Sequence, residues 1–338
     1  MGWIARTSST LTLAALRAIR WRGNAGSSRY DFRDKVVVIT GGSRGLGVEM
    51  ARIWAAEGAK VAFCARDEQS VRRAEEELRR AGHEAMGYAC DVGRQLDLDQ
   101  FMRAVVHQWG GIDVLVNNAG VIQTGPAKCM TLSDFRTAMD THFWGPLYAI
   151  FAALPAMRSR GGGRIVNISS IGGLVSVPHL LPYSATKFAL TGLSTGLRTE
   201  LAREGIAVTT VFPGLMRTGS PRNAWFKGQH RAEYAWFSIS DSLPGITLNA
   251  RRAARKIVEG CRRGDARLVL GLPAKLLAKV HGLFPAITAG LLTQVNRLLP
   301  EPGGVGTQAI RGADSASRWS PSWLTALSQR AEVRNYES

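Results

Sequence analysis

Cysteine is scarce: the chain has four in 338 residues, Cys64, Cys90, Cys129 and Cys261, far apart and with no CxxC pair. That spacing excludes a disulfide framework or a zinc site as the organising principle and suits a reducing compartment. A long apolar run is also missing. The longest uncharged stretch near the C-terminus, residues 282–296, covers fifteen residues, short of the roughly twenty that span a bilayer as a helix. Acids are absent from residues 1–30, which carry five Arg, and nearly absent from residues 247–300, which carry ten Lys or Arg against two acids. Residues 31–246 are almost balanced, 24 bases against 20 acids, so most of the net charge of +17 sits on the flanks, +5 and +8. With no recognition motif beside that charge, nucleic acid is not an expected partner. No metal site is implied.

What is present begins with 45% hydrophobic residues, enough for a substantial core in one large domain with extensions. The first 29 residues are Arg-bearing and Ser/Thr-rich, with Arg17 and Arg20 interrupting the apolar stretch. They form a basic extension that reads as an organellar transit peptide, a membrane-surface helix or a floppy terminus.

Regular structure is expected from Lys35. The apolar run 36–39 suits a parallel strand buried on both faces, and TGGSRGLG follows at once at residues 40–47, before a helix to about Glu57. A strand, glycine turn and helix in this order present backbone N–H groups and a helix N-terminus to a pyrophosphate. Gly41, Ser43, Arg44, Gly45, Leu46 and Gly47 are therefore cofactor-binding candidates. The second strand, 60–64, ends in Ala65, Arg66 and Asp67. An acid here would hold the ribose of NAD, and a base would accept the 2′-phosphate of NADP. Ala65 stands at the acid's place, so Arg66 and Arg44 favour NADP(H) over NAD(H), although a one-residue slip would offer Asp67 instead.

Further strands are expected at 85–90 and 113–116, separated by helices 68–81 and 95–109. The alternation implies an α/β fold, a doubly wound parallel sheet of about seven strands with ligands at the strand C-terminal ends. Asp91 and Val92 follow one strand end, with Asp91 able to accept from an adenine amino group. Asn118, Ala119 and Gly120 follow the other, where they line the cofactor cleft or form an ordinary turn.

The stretch RIVNISSIGGLVSVPHLLPYSATK, residues 164–187, concentrates the chemistry. A strand at 165–168 ends in Ser169 and Ser170, and Tyr183 and Lys187 lie four apart on one face of a helix expected at 182–202. A free phenol titrates near pH 10. Work near neutrality needs about 2 to 3 pH units less, roughly 3 to 4 kcal/mol, which one cation about 4 to 5 Å away can supply. Tyr183 would then exchange a proton with a substrate oxygen that Ser170 orients.

In order and spacing, TGGSRGLG at 40–47, DV at 91–92, NNAG at 117–120, Ser170, YSATK at 183–187 and PGLMRT at 213–218 resemble the short-chain dehydrogenase/reductase family, in its classical form, over about residues 33–270. The resemblance implies Tyr183 as acid/base, Lys187 on the nicotinamide ribose, and Ser170 orienting the substrate. Pro213, Gly214 and Thr218 would contact the nicotinamide end, and hydride would come from the cofactor. It also implies a homo-oligomer paired through helices at 133–160 and 182–202. The chain departs from the family at His142, where the usual residue is Asn. There an imidazole joins the proton relay, a main-chain role survives the change, or the ring is simply packed; His142 is expected to tune the reaction without being essential.

Residues 219–247 interleave Trp225, Phe226, Tyr234, Trp236 and Phe237 with bases and suggest a lid over a bulky apolar substrate. A helix at 249–263 and a strand at 267–271 complete the nucleotide-binding domain, residues 30–271. Residues 272–300 read as two short amphipathic helices that lie on an anionic membrane surface, cover the substrate mouth or meet a partner. Residues 301–338 read as a poorly ordered tail in which Trp319, Trp323 and Leu324 are candidates to dock. The function expected is an NADP(H)-dependent oxidoreductase interconverting an apolar carbonyl and alcohol, cytoplasmic, with membrane-surface attachment or organellar import as variants. An NAD(H)-dependent alcohol dehydrogenase and a non-catalytic nucleotide-binding scaffold or sensor are the alternatives.

Overall fold

The computed structural model describes residues 30–243, 247–317, 331, 332 and 334–337. The basic extension 1–29, residues 244–246 near the end of the expected lid, and the Trp319, Trp323 and Leu324 candidates lie outside the described residues. The chain divides into two units, residues 1–31 and 32–338, and the second contains all the elements below.

In chain order these are β1 (Val36–Thr40), α1 (Gly45–Ala56), β2 (Lys60–Ala65), α2 (Glu68–Arg80), β3 (Ala85–Ala89), α3 (Gln95–Trp109), β4 (Val114–Asn117) and β5 (Gln123–Thr124). Then come α4 (Leu132–Met139), a π-helical turn (Asp140–Trp144), α5 (Gly145–Ser159), β6 (Gly163–Ile168), α6 (Leu181–Glu200), β7 (Ile206–Pro213) and β8 (Met216–Arg217). The last are β9 (Trp225–Phe226), α7 (His230–Ser242), β10 (Leu248–Asn249), α8 (Ala250–Arg263), β11 (Arg267–Leu270), α9 (Leu272–Leu283), α10 (Pro285–Asn296) and β12 (Ile310–Arg311).

Seven strands form one sheet in the order β11-β7-β6-β4-β1-β2-β3, and every pair in it is parallel. Parallel strands need crossover helices, which cover both faces and explain why β1 and β4 are buried throughout. On one face Leu98, Phe101 and Val105 of α3 and Ile150, Ala153 and Met157 of α5 pack with Val38, Leu115 and Ile165 of the sheet. Burying each large side chain stabilises by about 2 kcal/mol relative to exposure. The order reverses direction between β1 and β4, which opens a crevice at their carboxyl ends.

One row of polar side chains crosses this core. Asn117 Nδ2 donates to Asn167 Oδ1 at 2.8 Å, Asn167 Nδ2 donates to Ser194 Oγ at 2.9 Å, and Ser194 Oγ lies 2.7 Å from Thr210 Oγ1. The chain of bonds ties β4, β6, α6 and β7 into one register and leaves Asn117 Oδ1 at its end buried without a protein partner among the described residues, a cost the low-dielectric interior makes larger.

The lid is anchored by a small second sheet in which β9 pairs with β5 and with β12. Phe226, Tyr234 and Phe237 pack with Leu180 and Ala224 into a separate apolar cluster. The expectation of a poorly ordered tail does not describe its placed residues. Ile310 pairs with Phe226, and Asn335 and Glu337 are buried, because backbone pairing and ion pairs supply contacts that composition does not report.

Candidate active site

The glycine turn is shaped by close approaches that admit no side chain. A Cβ on Gly47 would stand 2.0 Å from the Gly41 carbonyl oxygen, and one on Gly41, whose φ is +65°, would stand 2.8 Å from Ala119 Cα. Asn118 holds the turn against β4. Its Nδ2 donates to Gly41 O at 2.8 Å and Thr40 O at 3.1 Å, while Thr40 Oγ1 accepts from the Asn118 and Ala119 amides at 3.0 and 3.2 Å. The Asn118 side chain is thus spent on the turn itself, and Ala119 and Gly120 follow it directly. The absent Cβ atoms, the start of α1 and the crevice fit a dinucleotide pyrophosphate.

At the end of β2, Ala65 keeps the ribose-reading place without a carboxylate. Asp67 caps α2, accepting from the Gln69 amide at 3.2 Å and from the Ser70 hydroxyl. The Ser70 hydrogen bond is the main cause that holds its carboxyl below the usual range. Arg66 is exposed, and Arg44 lies 3.5 Å from a carboxylate oxygen of Glu337. Asp91 Oδ1 accepts from the Gly93 amide at 3.0 Å beside buried Val92.

Ser170, Tyr183 and Lys187 meet at the mouth of the crevice. Ser170, just past β6, caps a short turn by accepting from the Gly172 amide at 3.0 Å, and its hydroxyl favours the charged form of the nearby Tyr183 phenol. Lys187, one turn along α6, donates from Nζ to the Ile168 carbonyl at 2.8 Å and lies 5.6 Å from the centre of the Tyr183 ring. Ser169 secures α6 through the Lys187 carbonyl at 3.1 Å. The electrostatics differ from the simple expectation of a cation lowering a phenol. Burial pushes the Tyr183 phenol up, with only the Ser170 hydrogen bond opposing it, and burial brings Lys187 down to about 7. Both charged forms lose their water in the same enclosed place, so desolvation outweighs their mutual attraction. Tyr183 therefore stands here as a neutral phenol, a proton donor.

His142 sits in the π-helical turn between α4 and α5, an irregularity often found at functional sites. It is completely buried, and desolvation, then Lys187, holds its pKa well below the usual imidazole value. Its Nε2 accepts from the Val121 amide at 3.1 Å, so Nδ1 carries the proton and donates to Thr186 Oγ1 at 2.8 Å. The ring meets Tyr183 edge-on, with centroids 5.3 Å apart. Both ring nitrogens are occupied by the protein, so the geometry is that of a positioning residue bridging the loop after β4 to α6.

Pro213 ends β7, and the Gly214 amide donates to Leu270 O at 3.0 Å. Thr218 is buried, its Oγ1 accepting from the Ser220 amide at 3.1 Å. Tyr183 also packs against the aromatic cluster of Phe226, Tyr234 and Phe237, in the segment expected to form a lid. Two buried pairs fasten that lid. Lys227 Nζ lies 2.6 Å from Asp134 Oδ2, and His179 Nδ1 lies 2.7 Å from Glu233 Oε1, whose other oxygen accepts from Trp236 Nε1 at 2.7 Å. Burial would raise the Asp134 carboxyl, but hydrogen bonds from Lys227 and Thr131 pull it below its usual value. The motifs do not reveal these partners, 93 and 54 residues apart. A legible signal did exist for Asn117 and Asn167, each an amide inside an apolar strand.

Comparison with known proteins agrees with this geometry. The short chain dehydrogenase model matches residues 35–226. The chain is 32% identical over 270 residues to the uncharacterized oxidoreductase YxnA of Bacillus subtilis, covering 78% of this chain and 72% of that protein. It is 37% identical over 269 residues to dehydrogenase/reductase SDR family member 7B of Danio rerio, covering 77% and 84%. Among solved structures, an actinorhodin polyketide ketoreductase variant with NADPH superposes with a TM-score of 0.63 at 33% identity, covering 70% of this chain and 96% of that one. The chain belongs to the short-chain dehydrogenase/reductase family, an oxidoreductase whose fold binds NAD(P).

Proposed function

We propose that this enzyme is an NADP(H)-dependent oxidoreductase that interconverts a carbonyl and an alcohol on a bulky apolar substrate. The observation that carries the reading is the meeting of Ser170, Tyr183 and Lys187 at the crevice beside the glycine turn. Bound there, the nicotinamide cofactor supplies or accepts the hydride. Gly41, Ser43, Arg44, Gly45, Leu46 and Gly47 would hold the pyrophosphate end. Asp91, Val92, Asn118, Ala119 and Gly120 would line the middle, with Lys187, Pro213, Gly214 and Thr218 at the nicotinamide end. In reduction, the neutral Tyr183 phenol donates its proton to the carbonyl oxygen as that oxygen gains charge, while the Ser170 hydroxyl fixes it in line. In oxidation, Tyr183 must first lose its proton, so the alcohol reaction rises with pH and carbonyl reduction falls.

Arg44 and Arg66, beside an Ala65 that offers no carboxylate and an Asp67 engaged as a cap, support NADP(H) over NAD(H). The aromatic cluster against Tyr183 supports an apolar substrate, and the relative with NADPH, a ketoreductase, is consistent with carbonyl reduction. A panel of aldehydes, ketones and alcohols assayed with both cofactors tests the reading. Turnover with NADP(H) on apolar members, lost by about 100-fold or more in Tyr183→Phe, is expected; a folded chain that turns over none of them refutes it.

A second reading concerns location. The helices α9 and α10 expose Leu272, Leu276, Leu283, Phe284, Ile287 and Leu291, alongside Lys275, Lys279 and no acid between residues 272 and 299. No helix among the described residues is long and apolar enough to cross a membrane. An apolar face with bases and no acid suits the surface of an anionic bilayer. Cosedimentation with phosphatidylserine vesicles should be lost on Leu276→Glu/Leu291→Glu; retention unchanged by that variant contradicts it.

A further inference from the structure

The described end of the chain comes back to the glycine turn. The Gly45 amide, first of α1, donates to the Asn335 carbonyl at 2.8 Å, and Asn335 Nδ2 donates to the Thr218 carbonyl at 3.1 Å. Glu337 is buried over the same turn. One of its oxygens, Oε2, lies 3.5 Å from Arg44 Nε and accepts from Asn223 Nδ2 at 2.7 Å. The other, Oε1, stands 2.6 Å from where a Cβ on Gly45 would be. Between them Tyr336 lies against α1 and α2, its ring 4.2 Å from the Arg73 guanidinium and 5.1 Å from that of Arg52, its hydroxyl 2.7 Å from Glu77 Oε2.

A carboxylate against an arginine and the opening glycine of a helix takes the place a phosphate would take, because the same donors and the same helix end serve either anion. Arg44, Gly45 and Thr218, assigned above to the cofactor, are here engaged by the tail. A dinucleotide and Glu337 cannot both have them, since the atoms would overlap and the anions repel. Burial raises the Glu337 carboxyl although Arg44 opposes this, so its desolvation is incompletely compensated. An occupant held in this way can be displaced.

We propose that the C-terminal tail, through residues 334–337, is an internal occupant of the phosphate end of the cofactor site, and that the nicotinamide dinucleotide binds by displacing it. The proposal rests on the placement of the cofactor at the glycine turn. Its consequence is quantitative. The apparent dissociation constant equals the intrinsic one divided by the fraction of chains with the tail released. A tail docked in about nine chains of ten weakens binding about tenfold, and by the same factor for NADPH and NADH, because a closed site excludes both alike.

The test compares three proteins: the full chain, a chain ending at Arg330, and the full-length variant Tyr336→Ala/Glu337→Ala. Binding of NADPH and of NADH is measured by calorimetry. Both altered proteins are expected to bind each cofactor about tenfold more tightly, by a common factor. A synthetic peptide of residues 331–338 added to the shortened chain should weaken binding again. Equal affinities in all three proteins overturn the proposal, as does weaker binding without the tail, which would make it part of the binding surface. A gain for one cofactor alone also overturns it, since simple occupancy has no preference. If the shortened chain does not fold, the double variant decides. If no version binds either cofactor, the placement at the glycine turn fails and the proposal falls with it.

Discussion

The cofactor wall of the crevice is shaped by main chain, at Gly41, Gly45 and Gly47, whereas the substrate wall is fastened by buried side-chain pairs such as Lys227 with Asp134 and His179 with Glu233. The first wall must let a phosphate come close to peptide amides, so its requirement is the absence of side chains at fixed spacing. The second must hold the segment around Lys227 and Glu233 against the body of the domain, and any two complementary groups that meet in space will do. One wall is therefore written as a local motif, and the other as contacts between distant positions. The two should fail differently when altered.

Breaking the substrate wall should have the largest effect on stability. Lys227→Met leaves the Asp134 carboxylate buried without its cation, which should destabilise by about 3 to 5 kcal/mol, read as a lower midpoint in urea unfolding at pH 7. The deficit should shrink in acid. The folded Asp134 carboxyl titrates below its unfolded value, so the stability it contributes is present above the unfolded value and lost as pH falls through the folded one. A loss of unfolding free energy below about 1 kcal/mol would mean that the pair is not what fastens this segment.

Gly47→Ala tests the cofactor wall. The new methyl group would meet the Gly41 carbonyl at 2.0 Å, so the turn must open at an expected overpacking cost of about 1 to 3 kcal/mol. That should appear as about 5- to 150-fold weaker cofactor binding with the lid contacts retained. Unchanged affinity would separate the turn from the cofactor.

His142→Asn probes the join between the walls and should have the smallest effect. A shorter amide can keep one of the two hydrogen bonds that the imidazole makes to Val121 and Thr186, so turnover should fall by no more than about tenfold. A folded but inactive variant would promote His142 from positioning to the reaction itself.

Legibility in the sequence follows the same division. The apolar runs that became β1 and β4, the glycine turn and the Tyr183 and Lys187 spacing were readable because each is set by backbone geometry within a few residues. Strand ends moved by a residue, as at Ala65 and Asn117, where polar or small residues leave the period undefined. The π-helical turn was not readable, since a helical pattern with one extra residue looks like an ordinary helix. Nor was the tail. Asn335, Tyr336 and Glu337 carry no local pattern, and their meaning lies in Gly45, Arg44 and Arg73, about 260 to 290 positions earlier.

Taken alone, the order of residues settled the doubly wound sheet and the family, and it singled out Tyr183 as the proposed proton carrier, because periodicity, missing side chains and i, i+4 spacing are properties of short segments. Only the folded molecule decided the direction in which burial shifts Tyr183 and Lys187, the partners of Lys227 and Glu233, and the seat of Asn335, Tyr336 and Glu337. Each of those depends on desolvation or on a partner far along the chain, and burial is created by packing all the elements together.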